Sequence, residues 1–195
     1  MKIDGSVAFV TGANRGLGEQ FVKALFEAGA AKVYAGARDP AKVTVPGAVP
    51  VAVDITDHES VRAASRAFAP VLGRNGGGAL VNVLSVLSWV SIPVSAGYAA
   101  AKSAEWSVTN ALRVALAEQG TQVTALHVGY LATEMAAMVS GPKADPGDVA
   151  RAALAGVEAG LHEVLADEVS KQVQAALPGG PGELYPQLYG GQSLV

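Results

Sequence analysis

The chain has 195 residues, no cysteine and a formal net charge of -3. This length fits one domain with a substantial core, and the absence of cysteine excludes disulfides and thiolate metal sites. The sequence has no blocks of like charge such as nucleic-acid binders carry. It also has no apolar leader at its start and no uncharged apolar run of the roughly 18 residues that span a membrane. We therefore expect a cytoplasmic protein whose partners are small molecules, with no nucleic acid and no membrane, and the three isolated histidines predict no metal site.

Short apolar runs alternate with amphipathic stretches, which predicts βα units around a mostly parallel sheet. Strands are predicted over 7–10, 32–35, 49–53, 79–84, 122–128 and 163–165. Helices are predicted from Leu17 to Gly29 and over 59–72, 98–118 and 169–177, with a kink or restart at Pro70. We expect residues 1–195 to form one domain with a less regular tail over 178–195, where Pro and Gly break the last helix.

A glycine-rich turn over 11–18 joins the first predicted strand to the first predicted helix. Its Gly-x3-Gly-x-Gly spacing allows a tight turn and lets backbone N–H groups approach a pyrophosphate at the helix N-terminus. A glycine-rich turn alone is also compatible with a purely structural role. Its position between strand and helix favours a dinucleotide site, for which the candidate residues are Gly12, Asn14, Arg15, Gly16, Leu17 and Gly18.

Arg38 lies about twenty residues beyond the last glycine of this turn, where a fold that prefers NAD usually carries an acidic residue for the ribose 2′-hydroxyl. An arginine there predicts NADPH in preference to NAD, because a guanidinium binds the 2′-phosphate through paired hydrogen bonds, and Arg15 can join it. Two alternatives stay open. In the first, both arginines are solvated surface residues that bind no cofactor. In the second, Asp39 is the acidic residue that binds the ribose 2′-hydroxyl of NAD.

Tyr98 and Lys102 are four positions apart on a predicted helix, so they lie on one face, and Ser85 follows the end of a predicted strand. A phenol titrates near pH 10, and a nearby ammonium stabilises the phenolate. Tyr98 is therefore the candidate general acid for a carbonyl oxygen, Lys102 its tuning partner and a candidate ribose contact, and Ser85 a hydrogen-bond donor to the oxyanion. A Tyr-x3-Lys pair alone also arises by chance on amphipathic helices.

From Val7 to about Asp167 the sequence resembles the short-chain dehydrogenase/reductase family, on the glycine turn and on Ser85, Tyr98 and Lys102. The resemblance implies an NADPH-dependent carbonyl reductase or alcohol dehydrogenase. It also implies that Asp54 borders the adenine pocket and that Gly129 and Thr133 contact the nicotinamide carboxamide, although Val128 replaces the usual proline. Relatives commonly pair through the Tyr98 helix, so a homodimer or tetramer is implied.

One departure from the family is large. Members normally carry a strand ending in Asn-Asn-Ala-Gly and a helix with a catalytic Asn before the serine strand, and neither is present in this sequence. The prediction is a Rossmann-like, doubly wound α/β fold of six parallel strands in the order 3-2-1-4-5-6, with the serine strand directly beside the first. That arrangement shifts the catalytic residues by roughly 4.8 Å relative to the glycine turn. The alternative function is an inactive dinucleotide-binding or minimised scaffold protein.

Apolar side chains flank the candidate catalytic positions: Trp89, Ile92, Pro93, Tyr130, Met135 and Met138. They predict a pocket for a small hydrophobic carbonyl or alcohol, with ordinary core packing as the alternative for several of them. Gly-Pro and Asp-Pro pairs within 133–146 predict a lid over the substrate.

Overall fold

The structure is a computed structural model that describes residues 1–189, apart from the side chains of 61, 64–70 and 189. Its strands are β1 (Val7–Thr11), β2 (Lys32–Ala37), β3 (Val49–Ala52), β4 (Gly78–Val83), β5 (Thr121–His127) and β6 (Glu163–Leu165). Its helices are α1 (Gly16–Glu27), α2 (His58–Arg74), α3 (Ala96–Ala115), α4 (Pro146–Glu158), α5 (Glu168–Ala176) and α6 (Pro181–Leu184). The last six residues of the predicted domain and tail lie outside the described residues.

All the strand pairs are parallel, and each strand pair is connected through a helix or a longer crossing segment. β1 pairs with β2 from Val7 opposite Lys32, and β2 pairs with β3. β4 pairs with β5 from Gly78 opposite Thr121, and β5 pairs with β6. The predicted α/β class with a Rossmann-like parallel arrangement is confirmed.

The predicted direct pairing of the serine strand with the first strand is not what the structure has. The strands form two three-stranded sheets, in the orders β1-β2-β3 and β4-β5-β6, and no backbone hydrogen bond joins β1 to β4 in the described part of the chain. Every residue of β1 and β4 keeps some solvent exposure, whereas six of the seven residues of β5 are buried. The structure therefore lacks the direct β1–β4 pairing on which the predicted shift of the catalytic residues was based.

Two packed helices, α1 and α4, connect the two three-stranded sheets, which we call half-sheets. α1 follows β1 in the first half and packs against α4, which precedes β6 in the second half. Their facing side chains belong to one core cluster, which also contains half-buried residues of β1 and β4; its members include Phe21, Val22, Leu25, Val149, Ala153 and Val157. The two sheets are therefore joined by side-chain packing, while the backbone ladder from Gly78 to Val83 holds β4 beside β5.

The sequence prediction missed α4. Asp145 caps this helix by accepting hydrogen bonds from the N–H groups of Gly147 and Asp148 at 2.8 and 2.9 Å, and Pro146 occupies its first position. Proline lacks the N–H that would be unpaired there, so Asp-Pro is a good helix start. α2 is assigned as one helix through Pro70, so the structure has no restart there.

No helix in residues 1–189 combines the length and the hydropathy needed to cross a membrane.

Candidate functional site

The turn between β1 and α1 has the geometry of a backbone cradle. Gly12 and Gly16 have φ values of 62° and 56°, a conformation that residues with a Cβ rarely adopt. A Cβ added to Gly18 would overlap the carbonyl oxygen of Gly12. The three glycines of the predicted motif are therefore each required by the backbone, two for their φ angle and one for a close approach.

The N-terminus of α1 presents donors that the helix itself does not use. Arg15 is the N-cap residue in an extended conformation, and no side chain caps the helix. The first N–H groups of a helix have no intrahelical acceptor, and the helix dipole adds partial positive charge at this end. Asn14 is half-buried, Leu17 packs against the core, and the guanidinium of Arg15 is exposed.

Arg38 is exposed just past the end of β2, and its charge acts on Asp54, which follows β3. The carboxylate of Asp54 accepts hydrogen bonds from the backbone N–H and the hydroxyl of Thr56, at 2.9 and 2.7 Å. These bonds, with a smaller effect of Arg38, lower the pKa of Asp54 below its usual value. Asp39 instead accepts a hydrogen bond from Ala41 N–H, which caps a short 3-10 turn.

Ser85, Tyr98 and Lys102 lie on two elements that pack together. The ammonium of Lys102, on α3, donates to the carbonyl oxygen of Val83 at the end of β4, at 2.7 Å. Ser85 comes two residues later and is 6% exposed, and its hydroxyl accepts a hydrogen bond from Leu87 N–H at 3.2 Å. Tyr98 is 48% exposed, and its hydroxyl makes no hydrogen bond within the described chain.

Lys102 has a second partner that the sequence analysis did not identify. Its ammonium lies 2.6 Å from a carboxylate oxygen of Glu105, one helical turn further along α3. The Lys102 side chain is 20% exposed, so this ion pair is partly shielded from water. An acidic residue three positions after a lysine on a predicted helix is a pattern that sequence inspection can identify.

Gly129 and Thr133 follow β5, and the backbone N–H group of each already donates a hydrogen bond within the chain. Gly129 N–H donates to a carboxylate oxygen of Asp167 at 2.5 Å, and Thr133 N–H donates to Leu131 O at 2.7 Å. Asp167 also caps α5, so one carboxylate ties the segment after β5 to the start of that helix. Thr133 lies beside the glycine turn, with its methyl carbon 3.7 Å from the place of a Cβ on Gly16.

Only part of the predicted apolar pocket faces solvent. Tyr130, Met135 and Met138 are exposed by 46%, 90% and 98%. Trp89 instead turns inward and stacks on His127, with ring centroids 3.7 Å apart and an interplanar angle of 16°. Trp89 is therefore core packing, which was the alternative that the sequence left open.

His127 is fully buried at the end of β5, and burial lowers its pKa to about 4. Its Nδ1 lies 3.2 Å from the hydroxyl of Ser88, whose oxygen in turn lies 2.6 Å from the carbonyl oxygen of Ser85. A neutral imidazole thus supports the turn that carries Ser85.

The tail reaches the segment between Ser85 and Tyr98. The hydroxyl of Tyr185 accepts a hydrogen bond from Ser91 N–H at 2.9 Å. Leu184 and Tyr185 pack against the same buried cluster as Trp89 and Ile92. This contact is not predictable from the sequence, because a Pro- and Gly-rich stretch carries no pattern that shows where it packs.

Comparison with known proteins agrees with this arrangement. A family model described as short chain dehydrogenase matches residues 58–143. A galactitol 2-dehydrogenase (L-tagatose-forming) from Cereibacter sphaeroides is 29% identical over 189 aligned positions, which cover 69% of this chain and 74% of that protein. A cyclohexanol dehydrogenase from Acinetobacter sp. (strain SE19) is 34% identical over 68 residues, which are 35% of this chain, and the match spans 27% of that protein.

Similarity to a solved structure extends over nearly the whole chain. A short chain dehydrogenase from Burkholderia cenocepacia J2315, crystallised in complex with NADP, is 34% identical and superposes with a TM-score of 0.89. The match covers 96% of this chain and 99% of that chain. Identity at this level over this coverage, together with the glycine turn and the helix that carries Tyr98 and Lys102, shows that the chain belongs to the short-chain dehydrogenase/reductase family.

Proposed function

We propose that this protein is an NADPH-dependent oxidoreductase that transfers hydride between the nicotinamide and a small hydrophobic carbonyl compound or alcohol. The observation that carries the proposal is the anchoring of Lys102 to the end of β4, two residues before Ser85 and one helical turn from Tyr98. Three side chains with the chemistry of carbonyl reduction are thereby held on packed elements at the carboxyl end of a parallel strand. Ligands of open α/β folds bind at that end.

The glycine turn fits a dinucleotide. Gly18 leaves the space that a Cβ would fill, and the uncapped N–H groups at the start of α1 suit a pyrophosphate. We assign the pyrophosphate to the turn from Gly12 to Gly18, the adenine to the surroundings of Asp54 and the 2′-phosphate to Arg15 and Arg38. The preference for NADPH is also supported by the NADP in the Burkholderia cenocepacia relative.

The proposed roles of the catalytic residues follow from their hydrogen bonds. The bound dinucleotide would supply the hydride to the carbonyl carbon, and the Tyr98 hydroxyl would give its proton to the carbonyl oxygen, so that the product is the alcohol. Ser85 Oγ accepts from Leu87 N–H, which leaves the serine hydrogen free to donate to the same oxygen. Lys102 has three N–H donors, of which two are used by Val83 and Glu105.

We propose the substrate class from the exposed apolar side chains of the segments that precede α3 and follow β5. Met135, Met138 and Val94 are almost fully exposed and Tyr130 is half-exposed, and Val94 lies in the 3-10 turn that precedes α3. Apolar side chains with a few polar groups suit a hydrophobic ketone or aldehyde better than a charged metabolite.

The test is oxidation of NADPH, followed at 340 nm, with a panel of hydrophobic ketones, aldehydes and quinones. Tyr98→Phe removes the proton donor and is expected to lower kcat at least 100-fold with little change in NADPH affinity. Tyr34→Phe, which removes a hydroxyl from β2, is the matched control and should keep full activity. The proposal fails if the wild-type protein binds NADPH but turns over no member of the panel, or if Tyr98→Phe retains activity.

A dinucleotide-binding protein without turnover is the second candidate, and two observations favour it. A carboxylate oxygen of Glu105 lies 2.6 Å from the ammonium of Lys102. Its negative charge offsets the positive charge by which Lys102 would stabilise the phenolate of Tyr98. In addition, only about 135 residues of this chain, 69% of its 195, occupy the 189 positions aligned with galactitol 2-dehydrogenase. The remaining aligned positions have no counterpart in this chain, so parts of that enzyme are missing here. NADPH binding by calorimetry, combined with no turnover in either wild type or Glu105→Gln, would establish this candidate.

A further inference from the structure

The glycine turn is bridged by a residue from a distant part of the chain. Arg15 Nη1 lies 2.9 Å from a carboxylate oxygen of Glu134, although the two residues are 119 positions apart. Next to this ion pair, the methyl group of Thr133 approaches Gly16. The segment that follows β5 thus contacts the turn at two adjacent positions, beside the N-terminus of α1.

The backbone holds Glu134 in this position. Leu131 and Ala144 form a parallel bridge at the base of the segment, and Ala132 N–H donates to Ala144 O at 2.9 Å. Glu134 begins a 3-10 turn, in which Ala137 N–H donates to Glu134 O at 3.1 Å. The carboxylate is therefore presented to Arg15 by an anchored loop.

We propose that Glu134 is a specificity-determining residue of the dinucleotide site, which competes with the adenosine 2′-phosphate for Arg15 and so reduces the preference for NADPH over NADH. This inference rests on the function proposed above. A carboxylate and a phosphate occupy the same N–H donors of a guanidinium, and a carboxylate in contact with that guanidinium also repels a phosphate.

The size of the effect follows from the exposure of the pair. The Arg15 and Glu134 side chains are 67% and 81% exposed, so water screens their attraction and a phosphate can displace the carboxylate. Arg38 makes no ion pair with a carboxylate among residues 1–189, so it remains available to the phosphate while Arg15 is occupied. The result is an NADPH site weakened by about threefold to fivefold relative to one without Glu134.

The test is the dissociation constant of NADPH and of NADH for the wild type, Glu134→Gln, Arg15→Gln and the double variant, measured by nucleotide fluorescence at low and high salt. Glu134→Gln should tighten NADPH by about threefold to fivefold and leave NADH unchanged, and the gain should shrink at high salt. In the Arg15→Gln background the same substitution should have no effect. Glu27→Gln, which breaks a similarly exposed pair with Arg151 at the other end of α1, should leave both constants unchanged.

Three results would overturn the inference. They are equal tightening of both dinucleotides by Glu134→Gln, an effect that persists without Arg15, and an unchanged ratio of the two dissociation constants. Any of these leaves the proposed function intact, because the dinucleotides still bind. Failure of the wild type to bind either dinucleotide would instead refute the proposed function and this inference with it.

Discussion

Between pH 7 and pH 5, acid should destabilise this protein through His127. The imidazole is 0% exposed, and burial lowers its pKa from 6.5 to about 4. Between these two values the unfolded chain binds a proton that the folded chain does not, so the free energy of unfolding falls as the pH is lowered. Stability from this residue is fully present above pH 7 and is lost progressively down to about pH 4.

The magnitude follows from the pKa difference. A shift of one unit corresponds to about 1.4 kcal/mol, so a change from 6.5 to about 4 is worth about 3 kcal/mol over the whole titration. About 2 kcal/mol of this loss falls between pH 7 and pH 5, where ordinary carboxyl groups remain ionised. For a domain with about 5–15 kcal/mol of total stability, that loss is readily measured.

Urea unfolding at pH 7, 6 and 5, followed by tryptophan fluorescence, measures this dependence, since Trp89 stacks on the imidazole. His127→Phe keeps an aromatic ring under Trp89 and cannot titrate, while Ser88 keeps its bond to Ser85 O, so the loss between pH 7 and pH 5 should disappear. His162→Gln removes an exposed histidine and should leave the dependence intact. Equal stability of the wild type at pH 7 and pH 5, or an unchanged slope in His127→Phe, would refute the reasoning.

Three further substitutions probe backbone and capping. Gly18→Ala should unfold at lower urea and bind NADPH at least tenfold more weakly, because its Cβ overlaps Gly12 O. Gly97→Ala on α3, where a Cβ meets nothing within 4 Å, should instead raise stability by about 0.5 kcal/mol in the same urea assay, and a loss of stability would contradict the open space. Asp167→Ala removes the acceptor of Gly129 N–H and the cap of α5, so it should cost about 1–2 kcal/mol by thermal unfolding, with rescue by Asn.

Local patterns in the sequence sufficed for most elements of the fold. All six strands were predicted within one or two residues, because short apolar runs between Gly, Asp and Pro are typical of buried parallel strands. α4 was missed because Asp145 and Pro146 were interpreted as part of a lid over the substrate, although Asp followed by Pro is equally a helix start. The tail was predicted as irregular, and its contact with Ser91 depends on tertiary packing.

The candidate site likewise contains residues that local sequence spacing predicts and residues that it does not. The glycine turn, Tyr98 and Lys102 are recognisable because their spacing within the chain determines their geometry. The partners that modify them were not identified: Glu134 is 119 positions from Arg15, and Glu105 was passed over although it lies one turn from Lys102. The direct pairing of β4 with β1 was also mispredicted, since apolar runs predict strands without showing which strands pair.

The two half-sheets have a consequence for cooperativity. Among the described residues, the strand hydrogen bonds join β1 to β2 and β3, and β4 to β5 and β6, but none joins the two half-sheets. The half-sheets are therefore coupled through side-chain packing and the α1–α4 contact. Such halves behave as separate units in native-state hydrogen exchange, where amides of one can open while the other stays protected. The amides of β1 and β4, which are edge strands and keep some solvent exposure throughout, should exchange before those of the buried central strand β5.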